Sequence, residues 1–207
     1  TGTGSCTPDI TKKNSDFLQN KFLDRDGSDI QSSNPEIIEK FKSITGITER
    51  RYASDKLNCS DLATDAARNA IIDSKIDQET LDFIIVAHNA GDISCNSGQV
   101  DTLPSIASKV KAKLKIKNPN CVAYDIICGC PGWVEGMIQA KSFIKSGMAT
   151  KCLIIGCDTL SRILDENDRD SMIYADGSGA TILEKDTSYD GGILSLSLIH
   201  ISEPTRH

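Results

Sequence analysis

Cys130 stands in the part of the chain best suited to nucleophilic chemistry. An apolar run ends at Ile127, glycines occupy positions 129 and 132, and Pro131 suits the first position of a helix. This pattern predicts a strand, a sharp turn and a helix, with Cys130 beside the unpaired N–H groups where the helix starts. A helix N-terminus favours the thiolate, which is the reactive form of cysteine.

Cys128 lies two residues earlier and offers the main alternative reading of this turn. The Cys-Gly-Cys spacing could mark a metal or dithiol site, but zinc sites have wider spacing and a second ligand pair, which the other cysteines do not supply. At the end of a strand, Cys128 is expected to pack inward, which leaves Cys130 as the nucleophile and predicts no metal site. The arrangement resembles the nucleophile elbow of serine hydrolases, with sulfur in place of oxygen. An inert pair of buried cysteines is the alternative.

Several regular elements surround this turn. Short apolar runs predict buried strands at 81–87, 121–127, 151–157 and 180–184. Helical spacing and end signals predict helices that start after Ser60 as N-cap, run from Pro104-Ser105 to about Leu114, and run from about Pro131 to Lys145 before Gly147. Strands that alternate with helices predict an α/β fold, a mixed sheet with helices on both faces.

Composition narrows the classes of protein to which the chain can belong. Of the 207 residues, 39% are hydrophobic and 25% charged, which is ordinary for a globular protein, and no apolar stretch is long enough to cross a membrane. The net charge of -6 argues against nucleic-acid and membrane-surface partners. No export signal precedes the 8 cysteines, so they are expected to be reduced and mostly buried, in a cytoplasmic protein.

The C-terminal segment differs from the rest of the chain. Residues 196–206 read Leu-Ser-Leu-Ile-His-Ile-Ser-Glu-Pro-Thr-Arg, which resembles an in-frame translation of a common transposase sequencing adapter. We therefore expect residues 1–195 to be the native protein and residues 196–207 not to be native. A natural polar tail is the alternative. The gene is then expected to be incomplete at its 3′ end.

The segment 123–133, Ala-Tyr-Asp-Ile-Ile-Cys-Gly-Cys-Pro-Gly-Trp, resembles the active-site region of bacterial β-ketoacyl-acyl-carrier-protein synthase III. Further segments resemble the family's opening strand, its T-G-I-x-E-R motif, the strand after the nucleophile helix, the loop that follows and a glycine-rich turn. They lie in the family's order at 1–5, 45–51, 156–162, 168–171 and 174–180. The resemblance extends over nearly all of residues 1–195.

The resemblance implies a thiolase-like fold of two similar halves, of which this chain holds the N-terminal one. Cys130 would take an acyl group from a coenzyme A thioester and condense it with a malonyl thioester on acyl carrier protein, which starts fatty-acid synthesis. In the family a His and an Asn from the second half assist decarboxylation, and they are expected to lie outside this chain. His88 is far from the family position and is expected to be a polar loop residue. The chain alone is therefore not expected to complete a condensation.

The resemblance also assigns roles away from the nucleophile. Arg169 matches a residue that contacts the coenzyme A or phosphopantetheine end of the substrate, and Leu103 matches a residue that each subunit of a homodimer inserts into its partner's acyl pocket. Lys40 and Ile44 stand where a Trp and an Arg hold the adenine in the best-known members, and Pro131 and Trp133 replace a small residue and a Phe. These departures leave room for a primer other than acetyl-coenzyme A. Beyond the resemblance, a basic patch for acyl carrier protein is a hypothesis for Lys40, Lys42, Arg50 and Arg51, with scattered surface charges as the alternative.

Two other functions remain open on the sequence. One is a thiolase-like acyltransferase of secondary metabolism, and the other is a non-catalytic subunit that serves as a dimer partner. A His and Asn pair in the second half of the full-length protein would favour decarboxylative condensation over the acyltransferase of secondary metabolism. If Cys130 is alkylated much faster than Cys128, an enzyme is favoured over a non-catalytic dimer partner.

Overall fold

The computed structural model describes residues 1–95, 97–188 and 192–196. The predicted non-native tail therefore lies, apart from Leu196, outside the described residues. The α-helices are α1 (Asn34–Thr45), α2 (Cys59–Ser74), α3 (Ile106–Lys113) and α4 (Gly132–Ser146). The strands are β1 (Gly2–Cys6), β2 (Ile10–Lys13), β3 (Glu49–Tyr52), β4 (Phe83–His88), β5 (Asp92–Ile93), β6 (Val100–Asp101), β7 (Val122–Ile127), β8 (Lys151–Thr159) and β9 (Asp176–Glu184). None of the described helices is long and apolar enough to cross a lipid bilayer.

Five strands form the main sheet, in the order β1-β9-β8-β4-β7. Strands β8, β4 and β7 run parallel, whereas β9 is antiparallel to both of its neighbours, so the sheet is mixed. Strand β4 lies between β8 and β7, and its residues from Ile84 to His88 are buried. Strand β7 forms an edge of the sheet. The runs predicted as strands are all present in it.

Helices cover both faces of this sheet, as the sequence predicts. Successive side chains of a strand point to opposite faces. Ile84 and Val86 pack with residues of α2 and α3 in one core cluster, whereas Ile85 packs with Met137 and Ala140 of α4 in another. Helix α4 thus lies on one face, opposite the pair α2 and α3.

The structure confirms the predicted ends of α3 and α4, whereas the start of α2 differs from the prediction. Helix α4 ends at Gly147, whose φ of +79° is a left-handed C-cap conformation. The prediction that Ser60 is the N-cap of α2 is wrong by two residues, because Asn58 is the N-cap and its N–H donates to Asp61 at 2.8 Å. The N–H and hydroxyl of Ser60 donate instead to Asp92.

A smaller apolar cluster lies beside the sheet, around α1. Its buried members come from α1 and from the chain before and after it, and they are Phe17, Phe22, Ile37, Phe41 and Met172. The two-stranded sheet of β2 and β3 lies next to this cluster. Phe41, Ile37 and Met172 also form part of a cleft described below.

The prediction that the cysteines are mostly buried is correct for half of them. All of the cysteines are free, and Cys59, Cys121, Cys152 and Cys157 are buried. Burial raises the pKa of the Cys152 thiol to about 12, so this group is an inert apolar side chain. Three cysteines are exposed, namely Cys95, Cys128 and Cys130.

Candidate active site

The turn around Cys130 joins the edge strand β7 to helix α4. Gly129 takes a φ of +59°, which glycine adopts without the steric cost of a Cβ. The N–H of Gly132 donates to the carbonyl of Gly129 at 3.0 Å, and α4 begins there. The turn exposes Cys130 at the carboxyl ends of the parallel strands, which is where α/β sheets bind ligands.

Cys130 opens into a cleft of about 340 Å³. Four of its twelve lining residues are glycines, and at these positions only backbone bounds the space. Trp133 from the first turn of α4 lies over one of these glycines, because a Cβ placed on Gly156 would be 3.4 Å from the Cβ of Trp133. The cleft is lined by Ala87, Gly129, Cys130, Trp133, Gly156, Cys157, Asp158, Ala175, Asp176, Gly177, Ser178 and Gly179.

The start of α4 supplies hydrogen-bond donors beside Cys130. Pro131, predicted at the first helical position, is the N-cap and has helical backbone angles of φ -77° and ψ -6°. No side chain of the described residues caps the first N–H groups of this helix. Such groups carry the positive end of the helix dipole. They can stabilise a thiolate or the oxyanion of an attacked thioester.

Cys128 does not pack inward, so that prediction is wrong. Its side chain is exposed, because β7 is an edge strand whose last residue, Ile127, is already 68% exposed. Cys130 lines the cleft, whereas Cys128 is not among the residues that do. Within the described ranges, no group of three or more His, Cys, Asp or Glu residues is placed to hold a metal ion.

Two carboxyl groups share the cleft with Cys130, and both already bind protein donors. Asp176 accepts hydrogen bonds from the N–H of Ala53 at 2.7 Å and of Ser161 at 3.0 Å. Asp158 accepts from the backbone N–H and the side-chain amide of Asn89. Burial raises the pKa of Asp158 above its ordinary value, although the hydrogen bonds from Asn89 act in the opposite direction. These acids hold neighbouring loops in place.

His88 is not a loop residue, so that prediction is also wrong. It is the last residue of β4 and is only 1% exposed. Its Nδ1 accepts from the N–H of Gly91 at 2.9 Å, so Nε2 carries the hydrogen and donates to Asp125 at 3.0 Å. Asp125 also accepts from the N–H groups of Ile106 and Ala107, which start α3. An acid inside the apolar run 121–127 was the sequence signal for this buried network.

Arg169 lies at a different cleft, of about 320 Å³. Lys40 and Ile44 line it as well, so the structure brings together the three positions that the resemblance assigns to the coenzyme A end of the substrate. The full lining is Ser32, Glu36, Ile37, Lys40, Phe41, Ile44, Thr45, Arg169, Asp170, Met172 and Ile173. No described residue lines both this cleft and the cleft at Cys130.

Leu103 lies outside both of these clefts. Its side chain is 83% exposed, and the peptide bond to Pro104 is cis. Within this chain the structure therefore brings neither Leu103 nor Arg169 to the cleft of Cys130. Insertion of Leu103 into a partner subunit remains a prediction.

The hypothesis that Arg50 belongs to a basic surface patch is wrong. Arg50 is 5% exposed, and its guanidinium carbon lies 5.0 Å from the ring centre of Phe17 and 5.8 Å from that of Phe41. Its Nε donates to the carbonyl of Met172 at 3.0 Å. Aromatic faces and carbonyl oxygens thus replace water around this cation.

Comparison with known proteins identifies related sequences and folds. The family model for 3-oxoacyl-[acyl-carrier-protein] synthase III matches residues 124–200. The β-ketoacyl-[acyl-carrier-protein] synthase III of Ehrlichia canis is 39% identical over 170 residues, which cover 82% of this chain and 49% of that protein. The synthase III 1 of Vibrio vulnificus is 36% identical over 195 residues, which cover 94% of this chain and 54% of that protein.

Solved structures match the fold. The crystal structure of 3-oxoacyl-[acyl-carrier-protein] synthase III from Aquifex aeolicus superposes with a TM-score of 0.71 at 30% identity, over 90% of this chain and 53% of that one. A 3-oxoacyl-(acyl-carrier-protein) synthase from Burkholderia xenovorans gives a TM-score of 0.74 at 24% identity, a likeness of fold alone, over 89% of this chain and 47% of that one. The fold is thus about half of the thiolase-like fold, as predicted. With these sequence and fold matches, this chain belongs to the β-ketoacyl-acyl-carrier-protein synthase III family and spans about half the length of the curated relatives it matches.

Proposed function

We propose that Cys130 is the nucleophile of a 3-oxoacyl-acyl-carrier-protein synthase III-type acyltransferase. The observation that carries this proposal is the exposed thiol at the start of α4, which lines a cleft that four glycines help to form. Cys128 is exposed too but does not line that cleft. Homology to condensing enzymes supports the same assignment.

The first chemical step is an exchange of thioesters. The Cys130 thiolate attacks the carbonyl carbon of an acyl-coenzyme A, and the carbonyl oxygen takes the negative charge. The bond to the coenzyme A sulfur then breaks, the acyl group stays on Cys130, and the released coenzyme A thiolate takes a proton. N–H groups at the start of α4 can donate to the oxyanion while it exists.

The second step is condensation with malonyl-acyl carrier protein, with loss of carbon dioxide, to start fatty-acid synthesis. His88 is unsuited to assist it, because both ring nitrogens are already engaged and the side chain is buried. We assign the His and Asn for this step to the part of the family's length that this chain does not span. The chain alone is therefore expected to accept an acyl group but not to condense it.

The cleft at Arg169 is proposed to hold the coenzyme A or phosphopantetheine end of the substrate. An exposed guanidinium beside Lys40 suits a phosphate group. Ile44 is 73% exposed and gives this cleft an apolar rim where the best-known members have an Arg. This difference supports an acyl donor other than acetyl-coenzyme A.

The proposed partners are a second copy of the chain and acyl carrier protein. An exposed Leu103 and the free edge of β7 support a homodimer. Lys40 and Lys42 are exposed and could meet an acidic carrier protein. The free cysteines support a reducing compartment, which we take to be the cytoplasm.

The test measures coenzyme A released when the chain is mixed with an acyl-coenzyme A, with octanoyl- and acetyl-coenzyme A as the probes. We expect at least one of them to give a burst stoichiometric with the protein, both in the native chain and in Cys128→Ser, and no burst in Cys130→Ser. An equal burst in Cys130→Ser would overturn the role of Cys130. No burst from the native chain would favour the non-catalytic partner subunit.

A further inference from the structure

The last residue of β4 and the first residue of the loop that follows it lie between two carboxylates from the neighbouring strands. On one side, His88 donates to Asp125 of β7. On the other, Asn89 donates twice to Asp158 of β8, from its backbone N–H at 2.8 Å and from its side-chain amide at 2.7 Å. Because β4 lies between β7 and β8, the junction of β4 and this loop is held on both sides near the carboxyl ends of the strands.

The bond to Asp158 fixes which way the Asn89 amide points. Since Nδ2 donates to Asp158, Oδ1 is turned away from it. This oxygen faces the nucleophile turn, because a Cβ placed on Gly129 would lie 3.4 Å from Asn89 Oδ1. Gly129 is the residue before Cys130, so the side chain of Asn89 lies between a partly buried acid and the turn beside the thiol.

The nucleophile turn has little other support of this kind. No side-chain hydrogen bond among the described residues reaches positions 128–131, and Pro131 cannot cap the helix with its side chain. Gly129 also has the greatest conformational freedom of any residue type. Apart from the hydrogen bond from the Gly132 N–H to the Gly129 carbonyl at 3.0 Å, the turn therefore depends on packing contacts to keep one conformation.

We propose that Asn89 is a positioning residue, which is oriented by Asp158 and holds the turn at Gly129 so that Cys130 stays at the start of α4 and open to the cleft. The inference rests on the proposed role of Cys130 as the nucleophile. Asn89 is not among the residues that line the cleft at Cys130, so its role here is through the backbone of the turn.

The test measures the rate at which iodoacetamide alkylates Cys130 relative to Cys128 in the same molecule. Both lie in one tryptic peptide, residues 118–141, and fragment masses separate them. In Asn89→Ala we expect this ratio to fall about tenfold, within the range of a helix-terminus effect on a partly buried group. Asn89→Ser can keep a donor to Asp158, but its side chain is too short to reach Gly129. We therefore expect the ratio of the Cys130 rate to the Cys128 rate to fall in this variant as well.

Asn69→Ala is the matched control. Asn69 lies in α2 and its amide donates to the carbonyl of Ser5 at 3.0 Å, far along the chain from the turn. This variant should keep the native ratio. Circular dichroism checks that each variant is folded.

The outcomes separate the two proposals. If Cys130 in the native chain reacts no faster than Cys128, the proposed function fails and the inference fails with it. If native Cys130 reacts faster and a folded Asn89→Ala or Asn89→Ser keeps the native ratio, only the inference fails. A fall in both Asn89 variants but not in Asn69→Ala supports it.

Discussion

The two ends of the parallel strands use the same chemistry for different purposes. At the amino ends, Asp82 precedes β4 and accepts from the N–H groups of Thr150 and Lys151, where β8 starts. Near the carboxyl ends, Asp125 accepts from the last residue of β4 and from the start of α3, and Asp158 accepts from the residue that follows β4. Both ends are tied by carboxylates that bind N–H groups of other elements.

The pKa values of Asp82 and Asp158 shift in opposite directions. Burial acts to raise the pKa of Asp82, but hydrogen bonds from Thr150 and Lys151 outweigh it, and the pKa lies below its ordinary value. At Asp158 burial outweighs the hydrogen bonds from Asn89, and the pKa lies above its ordinary value. At the amino end hydrogen bonds stabilise the carboxylate of Asp82, whereas at the carboxyl end partial burial of Asp158 beside the candidate nucleophile favours its protonated form. Perturbed acids of the second kind are typical of functional sites.

The largest effect is expected from Asp125→Ala, at the carboxyl ends. Its carboxylate accepts from His88 and from the first two N–H groups of α3. Loss of a helix cap and of the acceptor for a buried ring should lower the free energy of unfolding by about 3 kcal/mol. Urea unfolding measures this change. A loss well below about 1 kcal/mol would show that water replaces the carboxylate.

Asp82→Ala should have a smaller effect that is confined to stability. Its hydrogen bonds to Thr150 lie at an exposed position, where water can replace the lost acceptor. We expect the free energy of unfolding to fall by about 1–2 kcal/mol. The burst of coenzyme A should be unchanged, because this end is remote from Cys130. If a folded Asp82→Ala gave no burst of coenzyme A, the amino ends of the parallel strands would also be needed for acyl transfer, and the functional difference between the two ends would not hold.

The smallest effect is the dependence of stability on pH. The folded pKa of Asp82 is lowered, so its carboxylate contributes stability above the unfolded pKa, and this is lost as pH falls through the folded pKa. For Asp158, whose folded pKa is raised, stability is fully present below the unfolded pKa and is lost as pH rises through the folded one. The gap in unfolding free energy between the native chain and Asp82→Asn should therefore narrow from about pH 7 to about pH 3. If this difference in unfolding free energy widened as the pH fell, it would contradict a lowered pKa of Asp82 in the folded state.

Local pattern predicted much of the framework and less of the site. The strand before Cys130, the helix after it and the cap at Gly147 follow from features within a few residues. The exposure of Cys128 depends on β7 being the edge of the sheet, which local pattern does not specify. The burial of His88 depends on Asp125, 37 residues further along the chain.

The hydrogen bonds between Asn89 and Asp158 likewise could not be predicted from the local sequence. Its partner Asp158 is 69 residues away, and only the parallel pairing of β4 with β8 brings the two together. Arg50 was misread for the same reason, since its aromatic neighbours Phe17 and Phe41 come from separate segments. Charge and spacing predict which groups can do chemistry, but tertiary contacts decide which of them face solvent.

The most direct test of the central claim is to locate the acyl group after the chain is treated with an acyl-coenzyme A. Digestion with trypsin yields the peptide 118–141, which contains Cys121, Cys128 and Cys130. We predict that fragment masses place the thioester on Cys130 alone. An acyl group found on Cys128, or divided equally between Cys128 and Cys130, would contradict the assignment of Cys130 as the nucleophile.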